Sequence, residues 1–326
     1  MTNTWRYVMP KGDAVSFPCV IANADEPPIR LGLNETLERI AQEKSDLGEL
    51  LKEHGAILFR GMPLRTAADF DAFITAFDWP NFRYADSLSN AVRTNRTDRV
   101  FTANEAPPTV EIFLHHEMAQ TPVYPGKLFF FCETAPQSGG ETPICRSDRL
   151  LELMRDQQPQ FLKRCAEEGL QYTNIMPHKA DAGSGQGRSW TDTLGTDDRI
   201  VAEQRLKDLG YSWSWLSEGE LKVTTPVLPA LKELPNGTEV FFNQLIAAYR
   251  GWNDDRNKGE KSVTFGTGEE IAADDLALTA TLAEQITEDV CWEQGDVVLI
   301  DNYMMMHGRR PFDGSRAILA SLVAAD

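Results

Sequence analysis

The sequence predicts a mixed α/β fold that is mainly β, in which helices surround a core of strands. Apolar runs with the length and composition of buried strands occur at three well-separated places, AILFRG (56–61), LFFFCET (128–134) and GDVVLIDN (295–302). Two amphipathic helices are predicted beside the first run, at 45–55 and 66–77, because apolar residues recur there at the helical period. Ser45 is the expected N-cap of the first helix, and Gly55 is expected to end it.

The chain shows no internal repeat and no linker, so residues 1–326 are predicted to form one domain with a helical and loop insertion around 146–240. Within the insertion the patterns predict two short helices, a further helix capped by Thr196 and a β-hairpin, at 147–169, 196–210 and 211–226. The glycine-rich stretch DAGSGQGRSW at 181–190 lacks the spacing of a phosphate-binding loop. We interpret it as a flexible lid over an active site.

Composition argues against several classes of protein. Lysine and arginine number 32 against 49 acidic residues, a net charge of −17, which argues against partners such as nucleic acid or an anionic membrane. The five cysteines form no CxxC pair, which indicates reduced thiols and fits a cytoplasmic location. Residues 1–13 lack the apolar core of a signal peptide, and no apolar run reaches the roughly 18 residues that a membrane helix needs.

The stretch FLHHEMAQ at 113–120 carries the strongest chemical signal. In an extended strand His115 and Glu117 share one side, about 6.6 Å apart at Cα, and His116 faces the other. Two histidines and one carboxylate form the facial triad that suits non-haem Fe(II), and His307 in YMMMHGRRPF is the best candidate for the distal ligand. The alternative is a solvated surface pair that arose by chance. The apolar residues that lead into the pair favour a metal site.

Several blocks together resemble one known family, the TauD/TfdA superfamily of Fe(II)- and 2-oxoglutarate-dependent oxygenases, and within it the SyrP-like branch. The blocks are HGAILFRGMPL (54–64), IFLHHEMAQ (112–120), FFFCETAPQSGGETPICRSDRLL (129–151), VFFNQ (240–244) and WEQGDVVLIDNYMMMHGRRPFDGSR (292–316). The resemblance implies a double-stranded β-helix (jelly roll) core with flanking and inserted helices. It also implies Fe(II) held by His115, Glu117 and His307, 2-oxoglutarate and O₂ as cosubstrates, and Thr142 hydrogen-bonded to 2-oxoglutarate.

An arginine near the C-terminus is predicted to hold the far carboxylate of 2-oxoglutarate. The Asp-Gly pair in FDGS favours a two-residue hairpin turn, and that register places Arg316 on the same face as His307. The planar guanidinium fork pairs bidentately with a carboxylate. Arg309 shares that face and is the second candidate, whereas Arg310 would point away. Pro311 lies within this register and is able to disturb it.

The resemblance implies hydroxylation of an aliphatic C–H bond of a small amino acid or amino-acid derivative, as in natural-product biosynthesis, with release of succinate and CO₂. Related halogenases lack the carboxylate ligand, so the presence of Glu117 favours hydroxylation. Desaturation or cyclisation by the same chemistry, and an aminoacyl substrate tethered to a carrier protein, stay open, as does homo-oligomer formation. The alternative from another class is a non-catalytic jelly-roll binding protein.

The segment 81–108 is basic in an otherwise acidic chain and directly precedes the motif with the two histidines. We interpret it as a source of contacts to a substrate carboxylate, because a buried anion requires a charged partner. The candidates are Arg83, Arg93, Arg96 and Arg99, with Arg93 ranked first, and polar contributions from Thr102, Asn104 and Asn243. The alternative is a solvated loop without a role in binding.

Overall fold

Two β-sheets face each other at the centre of the molecule and form a double-stranded β-helix, as the sequence predicts. The computed structural model describes residues 6–8, 17–22, 32–181, 183–258 and 261–325. The larger sheet has the order β1 (Arg6–Val8), β2 (Cys19–Ala22), β3 (Ala56–Arg60), β16 (Val297–Asp301), β6 (Lys127–Thr134), β19 (Ala317–Val323) and β4 (Phe101–Thr102). The smaller sheet has the order β15 (Thr287–Val290), β8 (Thr142–Arg146), β17 (Met305–Arg309) and β5 (Ile112–His115).

A third sheet, two ribbons and the helices surround this core. The third sheet has the order β10 (Ser212–Trp215), β11 (Leu221–Thr224), β9 (Leu170–Met176) and β14 (Val263–Phe265), and the ribbons pair β12 (Lys232–Glu233) with β13 (Glu239–Val240) and β7 (Ser138–Gly139) with β18 (Phe312–Asp313). The α-helices are α1 (Leu33–His54), α2 (Ala67–Ala76), α3 (Ser147–Gln157), α4 (Pro159–Glu168), α5 (Trp190–Leu194), α6 (Arg199–Asp208), α7 (Leu245–Gly251) and α8 (Ala273–Gln285). Within the described ranges, every helix is too short or too polar to cross a membrane.

The strand β16 shows how alternation divides the core into layers. Val298 and Ile300 point into the space between the two sheets, where they join apolar residues of both. Val297 and Leu299 point to the opposite face and pack in the cluster formed with α1 and α2. The larger sheet is therefore buried on both faces, which explains why its strands read as continuous apolar runs.

Two of the predicted helix starts are wrong. Helix α1 begins at Leu33 instead of Ser45, with Gly32 as N-cap and the carboxylate of Glu35 accepting from the Gly32 amide at 2.9 Å. The apolar period continues upstream of Ser45, and the buried Ile40 lies on that stripe. Helix α6 is capped by Asp198, whose carboxylate accepts from the amide of Ile200, and not by Thr196. The predicted end of α1 at Gly55 is confirmed, with φ of 75°.

Residues 146–240 contain both helices and strands. Helices α3 and α4 are divided at Pro159, as predicted, because proline starts a helix easily but has no N–H to continue one. The predicted hairpin is present as β10 and β11, which pair antiparallel. Strand β9 then joins this hairpin to the rest of the domain through β14.

Candidate active site

Strand pairing in the smaller sheet places the two candidate histidines opposite each other. In the antiparallel pair β17–β5, His307 lies directly across from His115, and their rings are 4.4 Å apart at the centroids. Glu117 follows the end of β5, and its main-chain amide donates to the side-chain oxygen of Asn302 at 2.7 Å. The next residue, Met118, has φ of 60°, a backbone conformation that residues other than glycine rarely adopt outside functional or tightly packed turns.

His115, Glu117 and His307 have the arrangement that a metal ion requires. Glu117 Oε2 lies 3.4 Å from His307 Nε2 and 3.8 Å from His115 Nε2. Ligand atoms of all three residues lie within 4.8 Å of one another. Two ligand atoms about 2.1 Å from one ion and at right angles would be about 3 Å apart. The donor set and its spacing therefore fit Fe(II).

Hydrogen bonds determine which nitrogen of His115 is available to a metal ion and hold His116 away from the site. The Nδ1–H of His115 donates to the carbonyl of Phe113 at 2.8 Å, which leaves the lone pair of Nε2 for a ligand. His116 is fully buried on the other side of the strand, where its Nδ1–H donates to the carbonyl of Asn302 at 2.5 Å and its ring packs on Phe242. Asn302 thus braces both sides of the motif.

The protonation states of the group also suit a metal. Burial disfavours ionisation of Glu117, but the Arg93 guanidinium and the neighbouring imidazoles of His115 and His307 outweigh it and hold the pKa of that carboxyl well below its usual range. Burial lowers the pKa of His307 to about 4. A neutral imidazole beside an ionised carboxylate is the state in which these groups bind metal.

Arg316 lines the same cavity as His115, Glu117 and His307, but the hairpin used to predict its position is wrong. Strand β17 belongs to the smaller sheet, whereas β19 pairs with β6 and β4 in the larger sheet. Between them Phe312 and Asp313 pair with β7, because the chain leaves the smaller sheet at Pro311, which has no N–H to continue the ladder. The turn at 313–314 therefore connects a ribbon to the larger sheet.

One side of the Arg316 guanidinium is fixed, and the other is available. Its Nε–H donates to the carbonyl of Gly140 at 3.0 Å. No hydrogen-bond or ion-pair partner for its two terminal nitrogens is found among the described residues, although the guanidinium lies over the ring of Phe312. Burial lowers the pKa of Arg316, and the nearby Arg309 lowers it further, as expected for a guanidinium that lacks an anionic partner. Gly140 adopts φ of 72°, and a Cβ there would lie 3.0 Å from Arg316 Cδ.

Both terminal nitrogens of Arg309, the second candidate for the carboxylate, are already occupied, and its buried Nε has no partner among the described residues. Its Nη1 and Nη2 donate to four main-chain carbonyls, those of Asn104, Ala106, Pro107 and Val110, at 2.7–3.2 Å. Arg309 is buried, and these bonds tie the loop before β5 to β17. The geometry therefore contradicts a direct role for Arg309 in holding a cosubstrate.

Thr142 begins β8 and lines the same cavity as Arg316. Its hydroxyl accepts a hydrogen bond from the indole N–H of Trp292 at 3.1 Å. Trp292 was not singled out from the sequence. The WEQGD block that contains Trp292 is recognisable in the sequence. The sequence does not show that the chain folds back there and brings Trp292 to Thr142.

Of the four basic candidates, Arg93 alone lines the cavity. Its Nη2–H donates to Glu117 Oε1 at 2.9 Å, with side chains that are 7% and 4% exposed. Nε and Nη1 are buried and have no hydrogen-bond partner among the described residues. The guanidinium stacks over the rings of Tyr84 and Phe101 at 4.8 and 5.3 Å. The other three make contacts elsewhere, Arg83 with Asp86, Arg96 with Glu133 and Arg99 with the carbonyl of Trp79.

Two of the three polar candidates lie outside the cavity lining. Asn243 is buried, and its side chain bonds to the carbonyl of Ala230 and the amide of Leu245. The hydroxyl of Thr102 accepts from the amide of Thr94. Both assignments are therefore wrong in geometry, because these polar side chains satisfy main-chain groups. Asn104 lines the cavity, although its side-chain oxygen accepts from the amide of Ala106.

The cavity that contains these groups has a volume of about 490 Å³. Part of the predicted lid lies at its wall, where Gln186 accepts from Asn90 at 2.8 Å and Ser184 donates to Asp254 at 2.7 Å. Asn90 and Asp254 were missed in the sequence because neither stands in a motif. The loop therefore bridges two otherwise separate segments at the cavity.

Comparison with known proteins gives consistent similarities. The family profile described as taurine catabolism dioxygenase TauD, TfdA family matches residues 21–322. A clavaminate synthase-like protein of Arabidopsis thaliana is 43% identical over 309 residues, which cover 94% of this chain and 93% of that protein. Dapdiamide synthesis protein DdaC of Enterobacter agglomerans is 27% identical over 296 residues, 85% of this chain and 84% of DdaC. The structure of PvcB from Pseudomonas aeruginosa shares the fold, with a TM-score of 0.55 at 13% identity over 95% of this chain and 86% of PvcB.

Proposed function

Because this chain belongs to the TauD/TfdA family of dioxygenases, we propose that it hydroxylates an aliphatic carbon of a small amino acid or amino-acid derivative. Fe(II) and 2-oxoglutarate are its cofactors. When bound, they and O₂ supply the oxidising power to break an unactivated C–H bond, and succinate and CO₂ are released with the hydroxylated product. The observation that carries the proposal is the convergence of His115, Glu117 and His307 in one cavity. Arg93 and Arg316 also line this cavity, and each has N–H donors without an acceptor among the described residues.

His115, Glu117 and His307 are the proposed ligands of the iron. Nε2 of each histidine and Oε2 of Glu117 face one another, whereas Oε1 of Glu117 is bound by Arg93. Arg93 would therefore leave a single carboxylate oxygen of Glu117 for the metal. The positions left open by three protein ligands would be available to 2-oxoglutarate and O₂.

Arg316 and Thr142 are the proposed anchors for the far carboxylate of 2-oxoglutarate. The two free terminal N–H groups of Arg316 form a fork that matches a carboxylate, and the Thr142 hydroxyl retains its own hydrogen for donation. Thr142 stands on the smaller sheet and Arg316 just before a strand of the larger sheet, so the anion would be held between the sheets.

Arg93 is the proposed partner of an anionic group on the substrate. Its buried Nε–H and Nη1–H lack acceptors, and a buried donor without an acceptor costs about 1–3 kcal/mol. A carboxylate of the substrate would supply an acceptor for one of these groups and lie beside the metal ligand Glu117. The name of DdaC, a dapdiamide synthesis protein, supports a place in natural-product biosynthesis.

The test is a screen of amino acids and their derivatives with protein reconstituted anaerobically with Fe(II) and 2-oxoglutarate and then exposed to O₂. We expect succinate release coupled to the gain of one oxygen atom by a substrate that carries a carboxylate. Loss of two hydrogen atoms instead would indicate desaturation or cyclisation. Absence of succinate for every compound, including carrier-tethered aminoacyl groups, would contradict the proposal and favour a binding protein.

A further inference from the structure

Trp292 stands in a braced turn that returns towards Thr142. Strands β15 and β8 pair with Val290 directly across from Thr142, so the chain leaves the sheet two residues before Trp292. The carboxylate of Asp296 accepts from the amide of Glu293 at 3.0 Å, and Arg60 bonds both to Asp296 and to the carbonyl of Cys291. These contacts fix the turn at both ends.

The direction of the hydrogen bond between Trp292 and Thr142 is determined by chemistry. An indole N–H only donates, so the Thr142 hydroxyl must accept at this contact. A hydroxyl has one hydrogen to donate, and no acceptor for that hydrogen is found among the described residues. Both side chains are nearly buried, and Thr142 lines the cavity. The indole therefore restricts the rotation of the hydroxyl.

We propose that Trp292 is a positioning residue that orients the Thr142 hydroxyl to donate to the far carboxylate of 2-oxoglutarate. This inference rests on the proposed function, in which Thr142 and Arg316 hold that carboxylate. Without the indole N–H the hydroxyl rotates more freely and loses the polarisation that a chain of hydrogen bonds provides. Trp292 lies outside the lining of the cavity and bonds to Thr142, so we expect its effect to be confined to cosubstrate binding.

The test measures the dissociation constant of 2-oxoglutarate by calorimetry on the Mn(II)-loaded protein, which requires no turnover. The variants are Trp292→Phe, Thr142→Val and the double variant. We expect Trp292→Phe to weaken binding by about 3- to 10-fold, the effect of one hydrogen bond. In the Thr142→Val background the same change should have almost no effect, because the group on which it acts is gone.

Trp215→Phe is the matched control. The indole N–H of Trp215 also donates to a side chain, Glu203 at 2.7 Å, but Trp215 lies outside the cavity lining, so the affinity for 2-oxoglutarate should not change. Mn(II) affinity should stay unchanged in Trp292→Phe. If Trp292→Phe does not fold, site-specific benzothienylalanine at position 292 removes the N–H and keeps the shape of the indole.

The outcomes separate this inference from the proposed function. Weaker binding by Thr142→Val together with unchanged binding by Trp292→Phe would overturn the role of Trp292 and leave the cosubstrate site intact. An equal loss from Trp292→Phe in both backgrounds would also overturn it, since the effect would then arise from packing. Unchanged binding by Thr142→Val would refute the assignment of Thr142 and the inference with it.

Discussion

Replacement of Arg316 by methionine should weaken 2-oxoglutarate binding by about 30- to 300-fold. Removal of one partner from a hydrogen-bonded charge pair costs about 2–5 kcal/mol, and about 1.4 kcal/mol corresponds to a tenfold change. The lower part of this range applies because Arg316 is only half-buried and its Nε is already bound to Gly140. Two terminal N–H groups are then left for the carboxylate.

The assay is calorimetric titration of Mn(II)-loaded protein with 2-oxoglutarate, together with the apparent KM for 2-oxoglutarate once a substrate is known. Arg316→Lys is the matched control for charge. It keeps the positive charge but loses the fork and the bond to Gly140, so an intermediate loss of about 10-fold is expected. Mn(II) affinity should be the same in both variants, because Arg316 contacts none of the three proposed ligands.

Two results would refute this reasoning. The first is an unchanged dissociation constant in Arg316→Met. The second is a loss of similar size for 2-oxopentanoate, which keeps the keto acid that chelates the metal but lacks the far carboxylate. A requirement for Arg309 in its place would mean that the loop held by Arg309 opens on binding.

Three further predictions concern the metal ligands, the substrate and stability. His115→Ala should reduce Mn(II) affinity by more than about 100-fold, whereas His116→Ala should leave a measurable site, and calorimetry showing the reverse would contradict the strand parity. Arg93→Gln should raise the KM for the substrate by about 30-fold or more while the affinity for 2-oxoglutarate stays constant; a substrate without an anionic group would exclude this role. Arg309→Met should lower the free energy of unfolding by about 3 kcal/mol, because four carbonyls lose a charged donor; an unchanged denaturant midpoint would contradict it.

The sequence predicts those features that depend on local pattern. The alternation of His115, His116 and Glu117 is predicted from the strand period, and the structure places their side chains accordingly, although β5 ends at His115 and Glu117 lies just beyond it. The end of α1 at Gly55 is also local. Its start was misplaced because Ser45 has the residue type of a cap, although the apolar stripe continues through Ile40.

Features that depend on how distant segments meet were not predictable in the same way. Arg316 lies in the cavity although the hairpin invoked for it does not exist, because a change of sheet at Pro311 is not encoded in a short-range signal. Asn243 and Thr102 were chosen because their side chains are polar, but in the structure these side chains form hydrogen bonds with main-chain groups. The ion pair between Arg93 and Glu117 joins residues that are 24 positions apart, so it is evident only once the fold is known.

Because the chain changes sheet at Pro311, the distance between the two sheets would determine the length of the cosubstrate that fits. His115, His307 and Thr142 belong to the smaller sheet and Glu117 directly follows it, whereas Arg316 leads into β19 of the larger sheet. Facing sheets lie about 10 Å apart, a distance set by the side chains between them. Under the proposed binding mode, the length of diacid that spans metal and guanidinium would therefore depend on residues such as Ile144, which is fully buried between the sheets and pairs with His307. Chain-length selectivity would then be a property of the hydrophobic core rather than of any residue that contacts the diacid.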